Sequence, residues 1–253
     1  MNQVTAAHWP YPKFIAHRGA GKIAPENTLA AFRVGASYGY RMFECDVKLS
    51  SDGVPFLLHD NTLERTSTGR GVAGDLPWEA LSRLDAGTWH SRSFAGEPLP
   101  TLDAIAQYCL ANHHALNIEL KPTEGGAAIE RLTGELVAKR ALALWANADT
   151  PPFLSSFKPA SLAGAKAAAP SLPRGLLLDE LWDGWLDAAV ALDCRAVICD
   201  FQLWDAGAVA AVKSKGIKCL SYTVNDPLEA AKLFALGTDG IITNAIDLFA
   251  PSA

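Results

Sequence analysis

A (β/α)8 TIM-type barrel is the fold this sequence predicts, and three observations predict it. Short apolar runs alternate with longer helix-type patterns, the alternation that yields a parallel sheet covered by helices. The runs number eight, at 14–17, 42–49, 116–121, 153–155, 175–178, 196–199, 219–224 and 240–243. The chain has 253 residues, close to the ~250 of one such barrel. Each run is rich in Ile, Leu, Val or Phe without strict polar alternation, as strands covered on both faces are. One barrel domain spanning 1–253 is therefore expected.

Helix signals fill the gaps between the runs. Asn27 or Thr28 can cap a helix that carries Leu29, Phe32 and Ala36 on one face. Thr101 can cap another bearing Leu102, Ile105 and Cys109. Segments 127–146 and 159–169 are rich in alanine, the best helix former. Near the end, Asp226 suits an N-cap, Pro227 the first helical position and Gly237 the C′ position.

One piece breaks the alternation. Only Ser50, Ser51, Asp52 and Gly53 separate the second run from a further apolar stretch at 54–58, whereas a parallel crossover takes roughly a dozen residues or more. That stretch must return antiparallel, as a hairpin arm turned at Asp52-Gly53. Counting back across the hairpin sets His59 near Glu44. Residues 60–100 form a second irregularity, with Trp78, Trp89 and Phe94 among many Gly, Ser, Thr and Pro residues. They are expected to form a small insertion over the barrel mouth, not an independent domain.

The net charge of −5 argues against a nucleic-acid partner, which calls for a basic surface. An anionic substrate would need positive charge supplied locally. With 49% apolar and 19% charged residues, the chain is expected to fold around a large core. The five cysteines, Cys45, Cys109, Cys194, Cys199 and Cys219, are odd in number and form no C-x-x-C pair, a pattern of reduced, buried thiols. Residues 1–13 carry two prolines and no apolar h-region, so no secretory signal is expected. No run approaches the ~18 apolar residues of a transmembrane helix. The expected location is cytoplasmic, with no stable membrane insertion. None of these signals encodes the oligomeric state.

The chemistry gathers at successive strand ends, which in a barrel converge on one mouth. The first run ends in His17-Arg18-Gly19, the second holds Glu44-Cys45-Asp46, the hairpin arm ends in His59-Asp60, and the next run ends in Glu119-Leu120-Lys121. Glu44 and Asp46 are two apart on a strand and face the same way, as do Glu119 and Lys121. Three carboxylates converging on one mouth repel one another unless a cation sits between them. An all-oxygen set favours Mg²⁺ or Ca²⁺ over Zn²⁺. Arg18 offers a planar fork that suits a phosphate and Lys121 a point charge. His17 and His59 can transfer protons near neutral pH. Each motif taken singly has a duller reading, such as a structural histidine or a surface ion pair. Their order at consecutive strand ends points instead to metal-assisted phosphoryl chemistry. Cys45 alternates with the ligand candidates and should point away from them.

With these residues in view, the series His17-Arg18-Gly19, Pro25-Glu26-Asn27-Thr28, Glu44-x-Asp46, His59-Asp60 and Glu119-x-Lys121 resembles the glycerophosphodiester phosphodiesterases. The later segments Ser156-Phe157, Tyr222-Thr223-Val224-Asn225 and Asp239-Gly240-Ile241-Ile242-Thr243 agree, so the likeness covers roughly residues 13–248. It is similar to the cytoplasmic bacterial members rather than the periplasmic ones. The resemblance implies that His17 and His59 are general acid and base. It implies that Glu44, Asp46 and Glu119 bind one divalent cation, Mg²⁺ or Ca²⁺, and that Arg18 holds the phosphate. Lys121 would contact phosphate or the glycerol hydroxyls, and Asn27 would brace the loop after the first strand. The insertion after His59-Asp60 would help close the glycerol pocket, with Trp89 and Phe94 as its contacts. Tyr222 stands where Trp is common in the family, and Asn244 where Asp is common; both bear on substrate preference.

The implied reaction is hydrolysis of small-molecule glycerophosphodiesters, such as glycerophosphocholine and glycerophosphoethanolamine, to sn-glycerol 3-phosphate and an alcohol. One histidine would protonate the leaving alkoxide and the other would activate water or the glycerol 2-hydroxyl. The sequence assigns neither histidine to either role. Three other readings compete. A lysophospholipase D-like phosphodiesterase on the same scaffold would show an apolar collar, which the polar insertion opposes. A non-catalytic phosphate-ligand binding protein would lack a histidine or a carboxylate of the set, and none is missing. A metal-dependent aldolase or isomerase would need a base placed for carbon-acid chemistry.

Overall fold

Eight parallel strands close into a ring in the computed structural model, which describes residues 9–251. In chain order the elements are β1 (Phe14–Ala16), α1 (Leu29–Ser37), β2 (Met42–Leu49), β3 (Pro55–Leu57), α2 (Trp78–Leu81), α3 (Leu102–Ala111) and β4 (Ala115–Leu120). There follow α4 (Gly126–Leu144), β5 (Phe153–Ser156), α5 (Pro159–Ala168), β6 (Arg174–Leu178), α6 (Trp185–Ala191) and β7 (Cys194–Asp200). The last four are α7 (Ala206–Ser214), β8 (Lys218–Tyr222), α8 (Pro227–Leu236) and β9 (Gly240–Thr243). The strands pair in the order β1-β9-β8-β7-β6-β5-β4-β2, and a β1–β2 pairing closes the expected barrel.

Alternation along each strand divides the side chains between two cores. Phe43, Cys45 and Val47 of β2 and Leu116, Ile118 and Leu120 of β4 face outward and pack against the helices. Cys45 thus points away from its acidic neighbours, as expected. The inward set, Ile15, Met42, Phe153, Leu177, Ile198, Leu220 and Ile242, fills the lower barrel. Trp9 and Tyr11 plug that end, their rings edge-on to Phe153 at 5.5 and 5.6 Å. The plug was not foreseen in the opening segment, whose residues 1–8 lie outside the described ones. Each of these large side chains contributes ~1.5–3 kcal/mol when fully buried, so the layer closes the lower end of the barrel with apolar packing. Polar groups are left the next inward position on each strand: His17 after β1, Glu44 on β2, Asn117 on β4, Ser155 on β5 and Tyr222 on β8.

The strand pair β2–β3 is antiparallel, with Val47 opposite Leu57 and Leu49 opposite Pro55. It uses the upper edge of β2 that the short β1 leaves free, since β1 meets β2 only at Phe43. The same register continued upward sets His59 level with Cys45, one place from the expected Glu44. Gly53, at φ +80, makes the turn that Asp52-Gly53 predicted. Residues beyond β3 gather Leu63, Ala73, Leu81 and Leu99 around Phe56 and Leu58 in a small core of their own.

Caps agree with the sequence and settle one choice. The Thr28 hydroxyl accepts from the Ala31 N–H at 3.2 Å and caps α1, which releases Asn27 for another task. Thr101 caps α3, Asp226 caps α8, and Gly237 ends α8 at φ +106. The buried face of α1 is Ala31, Phe32 and Gly35 rather than Leu29, Phe32 and Ala36. A Cβ at Gly35 would lie 2.1 Å from the Gly19 carbonyl oxygen, so only glycine lets α1 back closely onto the loop after β1. His114 is buried against Phe43 and Tyr108, and burial lowers its pKa. Among the described residues, no helix is long and apolar enough to cross a membrane.

Candidate active site

The loop after β1 is shaped by two left-handed residues, Arg18 at φ +51 and Asn27 at φ +60. Such conformations cost on the order of 1–3 kcal/mol each in non-glycine residues, so the surroundings must hold them. They do so by hydrogen bonds. The Asn27 N–H donates to the Arg18 carbonyl at 2.9 Å. The Asn27 amide also donates to Asp46 Oδ2 at 2.8 Å and accepts from the Asp46 N–H at 3.1 Å. The Arg18 N–H donates to Glu44 Oε2 at 3.0 Å. The loop is thereby pinned to β2 through the two carboxylates that β2 turns inward.

Those carboxylates meet a third. Ligand oxygens of Glu44, Asp46 and Glu119 lie within 4.8 Å of one another, and all three residues are buried. Register explains it, because Asp46 of β2 sits beside Glu119 of β4. The three are not alike electrostatically. Burial and the charges of Asp46 and Glu119 push Glu44 well above the usual carboxylate range. Burial and Asp46 push Glu119 up to about 7, against the pull of Lys121. Asp46 is depressed even though burial alone would raise it, because Arg18, Lys121, His59 and the Asn27 amide outweigh burial. Glu44 Oε1 and Asp46 Oδ1 are buried with no hydrogen-bond partner. Clustered buried carboxylate oxygens that no hydrogen-bond donor satisfies suit a hard cation, so the residues fit a divalent ion.

Two cations flank the triad. Arg18 Nε is 3.3 Å from Asp46 Oδ2, and its Nη1 donates to Glu26 at 2.9 Å. Lys121 Nζ donates to Glu119 at 3.1 Å and lies 3.3 Å from Asp46 Oδ1. The two histidines stand at the same cavity, of about 150 Å³, lined also by Asn117, Phe157 and Tyr222. His17 Nδ1 pairs with Asn244 Oδ1 at 2.7 Å, which makes Nδ1 the donor and turns an unprotonated Nε2 toward Glu44, 3.7 Å away. His59 Nδ1 pairs with Asp60 Oδ1 at 2.7 Å and likewise leaves Nε2 free. Burial holds both imidazoles below the ordinary range, His17 at about 4.

Four residues with no assigned role emerge here. Arg65 donates in a fork to Asp60 at 2.6 and 2.9 Å and in a second fork to Glu26 at 2.8 Å twice. Glu26 also accepts from Arg18, so one chain of hydrogen bonds runs His59–Asp60–Arg65–Glu26–Arg18. Glu26 stood in a quoted motif, whereas Arg65 lies in the insertion with no local pattern to mark it. Asn244 was visible only as a departure from the family. Lys48, wholly buried, continues the inward column of β2 and donates to Asn61 at 2.8 Å; its pKa falls to about 8 through burial and the nearby Lys121.

Arg65→Ala should lower kcat by up to about 100-fold through misplacement of His59 and Arg18. It should cost only ~0–1 kcal/mol of stability, because the side chain is half-exposed. Steady-state kinetics beside a melting curve checks this, and Arg65→Lys should rescue poorly for want of the fork. Equal losses of activity and stability would show a merely structural part.

Trp89 and Phe94, expected at the glycerol pocket, are not among the residues that line this cavity. The Trp89 indole N–H donates to the Ala86 carbonyl at 2.8 Å and the ring is 40% exposed. Phe94 packs edge-on to His90 and against the main core, and His90 reaches the Lys22 carbonyl. The insertion's polar end folds down beside the loop after β1, while Phe157 and Tyr222 supply the cavity's aromatic wall, their rings edge-on at 5.6 Å.

The sequence profile of the glycerophosphoryl diester phosphodiesterase family matches residues 17–248, nearly the whole barrel. The chain belongs to that family. By class it is a phosphoric diester hydrolase. A glycerophosphodiester phosphodiesterase of Caldanaerobacter subterraneus is 32% identical over 231 residues, covering 91% of this chain and 93% of that one. The structure of an Oleispira antarctica phosphodiesterase in complex with its product sn-glycerol-3-phosphate superposes with a TM-score of 0.85. That enzyme is 33% identical, with 92% of this chain and 93% of that chain covered. A glycerophosphodiester phosphodiesterase of Agrobacterium tumefaciens superposes with a TM-score of 0.78 at 28% identity, covering 96% of this chain and all of that one.

Proposed function

We propose that this family member hydrolyses glycerophosphodiesters to sn-glycerol 3-phosphate and an alcohol, with one divalent cation, Mg²⁺ or Ca²⁺, held by Glu44, Asp46 and Glu119. The observation that carries the reading is one cavity lined by Glu44 and Glu119, by Arg18 and Lys121 and by both imidazoles, with Asp46 grouped against the two carboxylates behind it. A bound divalent ion would neutralise charge on the phosphoryl oxygens. Arg18 and Lys121 bind the same phosphoryl group from the β1 and β4 sides. His17 and His59 handle the protons at their free Nε2 atoms, one accepting from the nucleophile and one donating to the departing alkoxide. Asn244 and Asp60 orient the two rings through Nδ1. Asn27 holds the Arg18 loop against Asp46. The five cysteines, all free and buried, support a reducing, cytoplasmic setting.

Release of glycerol 3-phosphate from glycerophosphocholine, with Mg²⁺ or Ca²⁺ and then with excess chelator, tests the reaction. A melting curve tests the ion separately. An ion at a hundredfold excess over Kd adds about 2.7 kcal/mol, a rise of roughly 5–10 °C in Tm for a chain of this size. Glu44→Gln should abolish most of that rise. An unchanged rise in this variant removes Glu44 from the ligand set, and no release with either ion removes the reaction.

A further inference from the structure

A cavity of about 150 Å³ is too small for a whole diester, since drug-sized ligands fill roughly 300–1,000 Å³. The scissile phosphorus carries two arms, so one must lie outside. A second groove, of about 500 Å³, adjoins the cavity and shares Glu119, Lys121 and Phe157 with it. Lys121, a phosphate-binding candidate, therefore stands on the boundary between the two compartments. Beyond it the groove is lined by Asn61, Asp179 and Trp182.

Charge is unevenly divided across this mouth. Arg18 and Lys121 sit on the β1 and β4 side. On the β6 and β7 side stand Asp179 and Asp200, and neither has an ion-pair partner among the described residues. Asp179 lines the groove itself, and Asp200 stands beside Tyr222 in the β7–β8 pairing. Lys158, exposed at the start of α5, is the opposing charge in the groove lining. A carboxylate beside the rings of Trp182 and Phe157 is a chemistry that recognises an ammonium group, by charge and by cation–π contact.

We infer that this groove is the subsite of the leaving alcohol and that Asp179 and Trp182 select an alkylammonium alcohol over an uncharged one. The inference rests on the proposed hydrolysis. The geometry then places the phosphate at Lys121, glycerol in the inner cavity and the ammonium at Asp179, which matches a zwitterionic diester end to end.

The test is the ratio of kcat/KM for glycerophosphocholine to that for glycerophosphoglycerol, measured with divalent cation present. Asp179 is exposed and makes no side-chain hydrogen bond among the described residues, so Asp179→Asn leaves the fold intact. That variant should lower the ratio by about 3- to 10-fold, the larger loss falling on glycerophosphocholine. Trp182→Ala should lower the ratio similarly, and Trp182→Phe should restore most of it. A ratio unchanged in Asp179→Asn, or equal losses on both substrates, overturns the inference while leaving the hydrolysis standing. Wild-type protein that cleaves neither diester overturns the hydrolysis, and the subsite with it.

Discussion

His17→Ala and His59→Ala should each lower kcat by about 10²- to 10⁴-fold while leaving the ion-induced rise in Tm in place. The imidazoles lie at the cavity wall, with side chains 16% and 30% exposed, so truncation opens little buried space. Neither belongs to the carboxylate triad. What is lost is a proton carrier whose Nδ1 is already committed, to Asn244 in one case and to Asp60 in the other. If both rings serve one step, the double variant should be little worse than either single one, because the residues act as a unit. Turnover of glycerophosphocholine with a parallel melting curve decides the matter. Variants within a few-fold of wild type would reject the proton-transfer assignment, and a lost ion response would recast the histidines as supports of the metal site. Asp60→Asn should give a smaller loss than His59→Ala, since the ring remains but its orientation and charge support weaken.

The barrel was legible because its signals are local. Eight apolar runs, the Asp226-Pro227 cap and the Gly53 turn each follow from neighbouring residues. The convergence of the candidate residues was legible for the same reason: Glu44 with Asp46, and Glu119 with Lys121, are period-two pairs, and the hairpin count brought His59 to within one residue of its place. What escaped was held by contacts far apart in sequence. Arg65 joins Glu26 across 39 residues and Asn244 joins His17 across 227, and no spacing rule ties such pairs together. Trp89 and Phe94 were assigned to the cavity because large aromatics in an insertion suggest a lid. The insertion instead satisfies the Trp89 N–H internally and packs Phe94 on the barrel wall. Asn27 or Thr28 as the cap of α1 was an open choice until the Asp46 carboxylate proved to be the stronger claim on Asn27.

Asp46 and Glu44 are two residues apart on one strand, yet only the neutral isostere of Asp46 should destabilise the chain when metal is removed. Asp46 is wholly buried and faces Arg18 and Lys121, each at 3.3 Å. Asp46→Asn takes the anion away and leaves two largely buried cations short of a partner. Breaking such a pair costs ~3–5 kcal/mol. The Arg18 and Lys121 side chains are 18% and 22% exposed, so water compensates in part and a loss of about 3 kcal/mol is expected. Glu44 faces the carboxylates of Asp46 and Glu119, and burial with their charge raises its pKa. Glu44→Gln removes that repulsion and keeps an oxygen for the Arg18 N–H, so the chelated variant should be as stable as wild type or more so. Urea unfolding in chelator at neutral pH separates the cases, and equal losses in both would mean that the flanking cations do not distinguish the two carboxylates. The pH dependence carries the same sign. Because the folded pKa of Asp46 is depressed, its contribution is present above the ordinary carboxylate pKa of about 3.9 and fades only as pH falls below it. Under the proposed metal chemistry both variants should lose turnover all the same, since each removes a proposed ligand; stability in chelator, not activity, separates the roles of the two carboxylates.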